Sequence, residues 1–307
     1  MVKIYNSIIE MVGKTPLLRL GNLATKYRLN SEFLAKCEMF NPMYSIKDRA
    51  ALEMIKEQEK KGINENTVFV EATSGNTGIG LAGVCASKGY KLIIVMPENM
   101  SQERINLMKH FGAEVILTPA EDGMNGAIAK ANILKERNKD VVILNQFENE
   151  ANPRAHKLTT AMEIIEDTDG DFDVLVACIG TAGTIVGNAS VLKTYNKDLY
   201  VVGVEPEESA VISGGEKGSH KIQGIGAGFV PPLYDKELID EIVTVKSDDA
   251  IEMAKVVART EGLSVGISAG AAIKAALDLA KREEFINKRF IIILPDSVDR
   301  YLSTGYF

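Results

Sequence analysis

Cysteine and histidine are both scarce in this chain, with three of each in 307 residues. Cys37, Cys85 and Cys178 are scattered, odd in number and form no C-x-x-C pair. They read as small core residues in a reduced cytosol rather than a disulfide framework or a zinc site. His110, His156 and His220 are equally dispersed, which argues against a histidine metal cluster. No apolar run approaches the ~20 residues of a membrane span. Met1-Val2-Lys3-Ile4-Tyr5 lacks the apolar core and cleavage site of a signal peptide. A cytoplasmic protein without a membrane partner is the expectation. Positive charge is also in deficit: the net charge is −7 and the pI is near 5.3. That speaks against a general nucleic-acid surface. Any anionic ligand has to be held by local groups.

What remains is an ordinary globular composition, 46% hydrophobic and 25% charged. The length suits two compact lobes or one large α/β domain. After short apolar runs in residues 1–40, broken by Gly13-Lys14-Thr15-Pro16, a regular alternation begins. Helices are expected at 47–61, 76–88, 101–110, 123–137, 153–167, 184–194, 248–260 and 267–281. Strands are expected at 67–72, 91–96, 114–117, 141–144, 173–179, 200–204 and 290–294. Unbroken apolar strands alternating with helices predict an α/β fold with mainly parallel sheets, each covered by helices on both faces. Asn152-Pro153 opens a helix with proline at its first position, so a lobe boundary is expected near 150.

Asn41-Pro42 marks a turn, and Ala50, Ala51, Leu52, Met54 and Ile55 give an amphipathic helix. Ser45 and Asp48 stand at capping-box spacing, which makes Ser45 the expected N-cap and puts Lys47 in the first turn. The helix dipole disfavours a protonated amine there, and a neutral amine is what Schiff-base chemistry requires. The plain alternative is an exposed lysine at a helix start.

Four loops follow strands, where ligands sit in open α/β sheets. In Thr73-Ser74-Gly75-Asn76-Thr77-Gly78, hydroxyls, an amide and helix-start N–H groups form a neutral cradle for a carboxylate, against the alternative of a capped glycine turn. Gly78-Ile79-Gly80-Leu81-Ala82-Gly83 matches G-x-G-x-x-G, with Glu98 about 20 residues on. Its first glycine lies inside the helix rather than in the turn after the strand, so Gly80, Ala82 and Gly83 read as a packing face. Gly180-Thr181-Ala182-Gly183-Thr184 suits a phosphate, or is simply a tight strand–helix turn; it lacks the lysine of a nucleoside-triphosphate loop. Asp296-Ser297 could meet a ligand heteroatom or cap a turn. Gln146, taken alone, is an ordinary loop residue.

Together with Ile222-Gln223-Gly224-Ile225-Gly226-Ala227-Gly228-Phe229 and Pro295-Asp296-Ser297-x-x-Arg300-Tyr301-Leu302-Ser303-Thr304, these stretches occur in one order. From Thr15-Pro16-Leu17 to Thr304 the chain resembles the cysteine synthase (O-acetylserine sulfhydrylase) family of fold-type-II pyridoxal-phosphate enzymes. The resemblance implies two lobes: a smaller mobile one, 41–150, carrying the substrate-carboxylate loop, and a larger cofactor-binding one, 1–40 with 151–307. Pyridoxal 5'-phosphate would lie in the cleft between them. Lys47 would carry the internal aldimine and act as the base at Cα. Gly180, Thr181, Ala182, Gly183 and Thr184 would hold the phosphate, Asn76 the ring hydroxyl, and Ser297 would face the pyridine nitrogen. Thr73, Ser74, Gly75, Thr77 and Gln146 would bind the substrate carboxylate, and Gly228 would line the pocket. A neutral partner at the ring nitrogen makes the cofactor a weaker electron sink, which favours prompt loss of a β-substituent. O-acetyl-L-serine would lose acetate to leave an aminoacrylate, and sulfide would add to give L-cysteine.

The resemblance also implies a homodimer and a complex with serine acetyltransferase. The chain stops three residues after Thr304, with no regulatory extension expected. Met43-Tyr44, Ala161-Met162, Ala182 and Val298-Asp299 depart from the family's usual pattern; Tyr44 and Met162 could reshape the pocket. The main alternative uses the same cofactor on cysteine, releasing hydrogen sulfide and adding water or a thiol to give serine, lanthionine or cystathionine. A serine or threonine dehydratase fits the Thr-Ser-Gly-Asn-Thr loop less well. A nicotinamide-dependent oxidoreductase rests on the glycine match alone, and a non-catalytic binding module leaves Lys47 without a role.

Overall fold

The structure is a computed structural model that describes residues 4–307. Among these residues there are ten strands: β1 Leu17–Arg19, β2 Glu32–Cys37, β3 Val68–Ala72, β4 Lys91–Pro97, β5 Glu114–Thr118, β6 Val141–Ile143, β7 Val174–Cys178, β8 Tyr200–Pro206, β9 Glu241–Val245 and β10 Arg289–Leu294. They form two sheets, one in each of two compact units.

The first unit holds residues 4–12 and Asn41–Asn152. Its sheet has the order β5-β4-β3-β6 and is parallel throughout. Successive residues of β3 point to opposite faces, and both faces are dry. Phe69 packs with Leu52, Ile55, Ile79 and Leu81 of helices Lys47–Lys61 and Asn76–Lys88. Val70 packs with Ala127 and Ala131 of helix Gly123–Arg137. Assignment of all of residues 1–40 to the other unit needs correction: Ile9 and Val12 pack against the Phe69 cluster. Ser7 Oγ also lies 2.7 Å from Ser87 Oγ. Apolar side chains go where they can be buried, whatever their distance along the chain. The division falls between Asn152 and Pro153.

The second unit holds Gly13–Phe40 and Pro153–Phe307, with sheet order β1-β2-β10-β7-β8-β9. Only β1 runs antiparallel to its neighbour among the described residues. Strand β10 is fully apolar from Phe290 to Leu294 because it is buried on both faces and both edges. Phe290 sits opposite Phe33 on one side and Val174 on the other. The expected helix 153–167 differs from what is found. It starts at Ala151, widens into a π-turn over His156–Thr160, and resumes as Ala161–Thr168. Pro153 is thus its third residue, still within the first turn, where its missing N–H costs nothing. No helix of the described residues is long and apolar enough to cross a membrane.

Candidate active site

Helix Lys47–Lys61 begins one residue later than the Ser45 cap implies, with Ile46 already helical. The capping chemistry is nonetheless present. Ser45 Oγ accepts the Lys47 N–H at 3.2 Å, and Asp48, fully buried, accepts the Met43 N–H at 2.6 Å. Ser45 also donates to Asp48 at 3.4 Å. Lys47 itself is half-buried, not the exposed lysine of the plain reading. Its place is set by helix Asn76–Lys88. A Cβ on Gly80 would lie 3.2 Å from the Lys47 carbonyl oxygen, and one on Gly83 would lie 2.6 Å from Met43 Cγ. The G-x-G-x-x-G match is therefore a packing face, as its position inside the helix implied.

At the carboxyl end of β3 the chain turns through Thr73-Ser74-Gly75 into that same helix, with Gly75 as N-cap. Thr73 and Thr77 are buried, while Ser74, Gly75 and Asn76 are half-buried. Thr73 Oγ1 accepts the Gly75 N–H at 3.3 Å. Gln146, 69 residues on, is brought to the same place: Thr77 Oγ1 donates to its Oε1 at 2.6 Å. Five loop residues and Gln146 thus form one cluster at a helix N-terminus, where backbone N–H groups favour an anion.

In the second unit, β7 ends in Gly180-Thr181-Ala182 before helix Gly183–Tyr195. Gly180 has no room for a side chain, since a Cβ would stand 2.4 Å from the Gly224 carbonyl oxygen. Ala182 adopts the left-handed φ of +66° as the N-cap of that helix. This explains why glycine is common there in the family it resembles. Thr181 Oγ1 accepts the Gly183 N–H at 3.4 Å. The donor set is neutral: a helix N-terminus, backbone N–H groups and two threonine hydroxyls. Gly228, at φ +80°, shares a small recess with Gly180, Glu205 and Ser209.

Strand β10 lies beside β7, so the residues that follow each end on the same sheet edge. Ser297 is buried there, and its hydroxyl donates to Asp299 at 2.7 Å. Asp299 is one of the departures from the usual pattern, and it engages the very hydroxyl proposed to meet the ring nitrogen. Of the other departures, Met43 is core, Tyr44 is exposed at φ +65°, and Met162 is exposed beside a buried Ala161.

Two residues, one beside a loop of each unit, escaped the sequence reading. His156, buried on the π-turn, has Nδ1 2.9 Å from Thr160 Oγ1 and Nε2 3.3 Å from Thr184 Oγ1. Glu71 accepts the N–H groups of Asn145 and Gln146 at 2.8 and 3.1 Å. No motif flags either; a glutamate inside an apolar strand was the one available signal. Burial pushes Cys37, Cys85 and Cys178 each up to about 12, so they stay protonated at neutral pH.

Residues 8–296 match the family described as pyridoxal-phosphate dependent enzyme. The chain is 49% identical to cysteine synthase B of Campylobacter jejuni over 307 residues, the whole of both chains. It is similar to the crystal structure of cysteine synthase from Entamoeba histolytica, with a TM-score of 0.97 and 45% identity over 99% of this chain and 91% of that one. It is similar too to a hydrogen sulfide-producing enzyme from Fusobacterium nucleatum, with a TM-score of 0.93 and 44% identity over 98% and 99% of the two.

Proposed function

The chain belongs to the pyridoxal-phosphate dependent enzymes, and from that premise we propose that it is a cysteine synthase, converting O-acetyl-L-serine and sulfide to L-cysteine and acetate. The observation that carries this reading is the cluster of Thr73 to Thr77 with Gln146 in the unit that also holds Lys47. The donor sets fit the cofactor: the neutral 180–184 loop at a helix start suits its phosphate, and a half-buried lysine suits its aldehyde.

When bound, pyridoxal phosphate supplies a carbon that condenses with the substrate amine and a conjugated ring that acidifies the substrate Cα–H. Gly180, Thr181, Ala182, Gly183 and Thr184 would hold the phosphate, with His156 in contact with Thr184. Asn76 would hold the ring hydroxyl, and Ser297 the ring nitrogen. Thr73, Ser74, Gly75, Thr77 and Gln146 receive the substrate carboxylate, and Gly228 lines the pocket. Lys47 would be the residue that holds the cofactor aldehyde, and its Nζ, once free, would accept the Cα proton and later return it. The Cβ–O bond breaks with its electron pair leaving on acetate, and sulfide forms the new Cβ–S bond.

A second reading keeps every residue in place and starts from cysteine, releasing sulfide. It is supported by the likeness to the Fusobacterium nucleatum enzyme. A cytoplasmic homodimer, able to bind serine acetyltransferase, completes the proposal.

Visible absorption of the purified protein, before and after O-acetyl-L-serine, tests it, with Lys47→Ala as control and cysteine assayed as product. A band lost in the variant and shifted by O-acetyl-L-serine, with cysteine formed from added sulfide, is the expected result. A band that responds only to cysteine selects the second reading. Protein that stays colourless with added pyridoxal phosphate overturns both.

A further inference from the structure

Glu71 stands near the end of β3 with 2% of its surface exposed, one residue short of the turn into the Thr73 loop. A carboxylate in such a place is costly unless its oxygens are hydrogen-bonded. Both of them are, and to adjacent peptide groups of a single loop. Oε2 accepts the Asn145 N–H at 2.8 Å and Oε1 accepts the Gln146 N–H at 3.1 Å. No lysine or arginine among the described residues forms an ion pair with it. In the loop it grips, Asn145 adopts a left-handed φ of +52°, a conformation that asparagine tolerates better than most residues. Beyond the grip, Gln146 is tied on two further sides. Its carbonyl accepts from Asn152 Nδ2 at 2.9 Å, and its Oε1 accepts from the Thr77 hydroxyl at 2.6 Å.

These bonds set which end of the Gln146 amide does what. The Thr77 hydroxyl proton goes to Oε1, which leaves the Nε2 end as the one available to donate. Thr77 thereby acts as the orienter of Gln146.

We propose that Glu71 is a positioning residue for substrate recognition: its carboxylate clamps the Asn145–Gln146 peptide so that Gln146, oriented by Thr77, presents its amide N–H groups to the substrate carboxylate. The proposal rests on the reading above that Gln146 binds that carboxylate. Glu71 touches neither substrate nor cofactor, and its whole effect runs through Gln146. A residue that merely filled space in the core would affect folding without regard to what stands at position 146.

The test is a double-mutant cycle on the holoenzyme, with O-acetyl-L-serine as the varied substrate. Glu71→Gln keeps the shape but supplies only one acceptor for two N–H groups, so KM should rise about tenfold with kcat little changed. Gln146→Ala should raise KM at least as much. In the Gln146→Ala background the further change to Gln at position 71 should have almost no effect on KM. Hydrogen exchange of the segment 141–150 should quicken in Glu71→Gln, a readout independent of turnover. Glu71→Asp, which keeps the charge but shortens the reach, should shift KM in the same direction by less and serves if Glu71→Gln does not fold. If Gln146→Ala leaves KM unchanged, the underlying reading of Gln146 is wrong. If Gln146→Ala raises KM while the change at 71 does not, or does so equally in both backgrounds, the clamp is overturned and the reading of Gln146 stands.

Discussion

Gly80 is packed against the backbone carbonyl of Lys47, so closely that a Cβ there would lie 3.2 Å from the oxygen and 3.3 Å from the Asp48 nitrogen. The proposed catalytic lysine is thus placed by an absent side chain on the neighbouring helix. Gly80→Ala should push the start of helix Lys47–Lys61 by a few tenths of an ångström. Because misplacement of about 1 Å can cost about a hundredfold, kcat should fall by roughly tenfold. Thermal stability should fall little, since alanine is the better helix former by about 1 kcal/mol. Undiminished kcat in this variant would show that the contact does not set the position of Lys47.

Ala182 carries a Cβ at φ +66°. The left-handed conformation costs a residue with a side chain about 1–2 kcal/mol, and the greater freedom of glycine when unfolded returns about 0.5–1 kcal/mol of that. Ala182→Gly should therefore stabilise the protein by up to about 1 kcal/mol, read as a raised urea midpoint at unchanged slope.

Lys36 is fully buried in the second unit, with Nζ 2.9 Å from Glu163, 3.4 Å from Asp167 and 2.6 Å from the Thr15 carbonyl. Removing one partner of a buried ion pair strands the other, at a cost of about 3–5 kcal/mol. Lys36→Met should destabilise by about 3 kcal/mol, because Glu163 retains slight access to water and the Lys14 N–H. Chemical denaturation of the variant measures this directly.

Burial pushes the Glu71 carboxyl up to about 7, against the two N–H groups of Gln146 and Asn145 that pull it down. The folded protein then binds this proton more tightly than the unfolded chain does. Stability contributed at this site falls as pH rises from about 4.5 through about 7, and levels off above, by on the order of 3 kcal/mol. Glu71→Gln lacks this slope, so the stability difference between the two proteins should change across that window. The ionised form is also the better double acceptor, so KM for O-acetyl-L-serine should improve more steeply as pH passes 7 in the wild type than in Glu71→Gln.

Much of the site was readable one residue at a time, because its chemistry depends on local sequence. A glycine and hydroxyl loop between an apolar strand and a helix places donors at a helix N-terminus, so 73–77 and 180–184 stood out, though a plain capped turn remained the alternative for each. Glu71, His156 and the π-turn did not. Their roles rest on partners 74, 75 and 28 residues away along the chain. Residues 4–12 were misassigned for the same reason, since Ile9 and Val12 pack on elements that start beyond residue 41.

The order of strands and helices, the buried character of β10, and the two strand-to-helix turns at 73–77 and 180–184 were determined by the sequence itself, through periodicity and the fixed needs of backbone N–H groups. Only the tertiary structure decided that Gln146 meets Thr77 and that Gly80 sets Lys47. Those contacts depend on which faces pack together and at what separation, and no run of neighbouring residues encodes that.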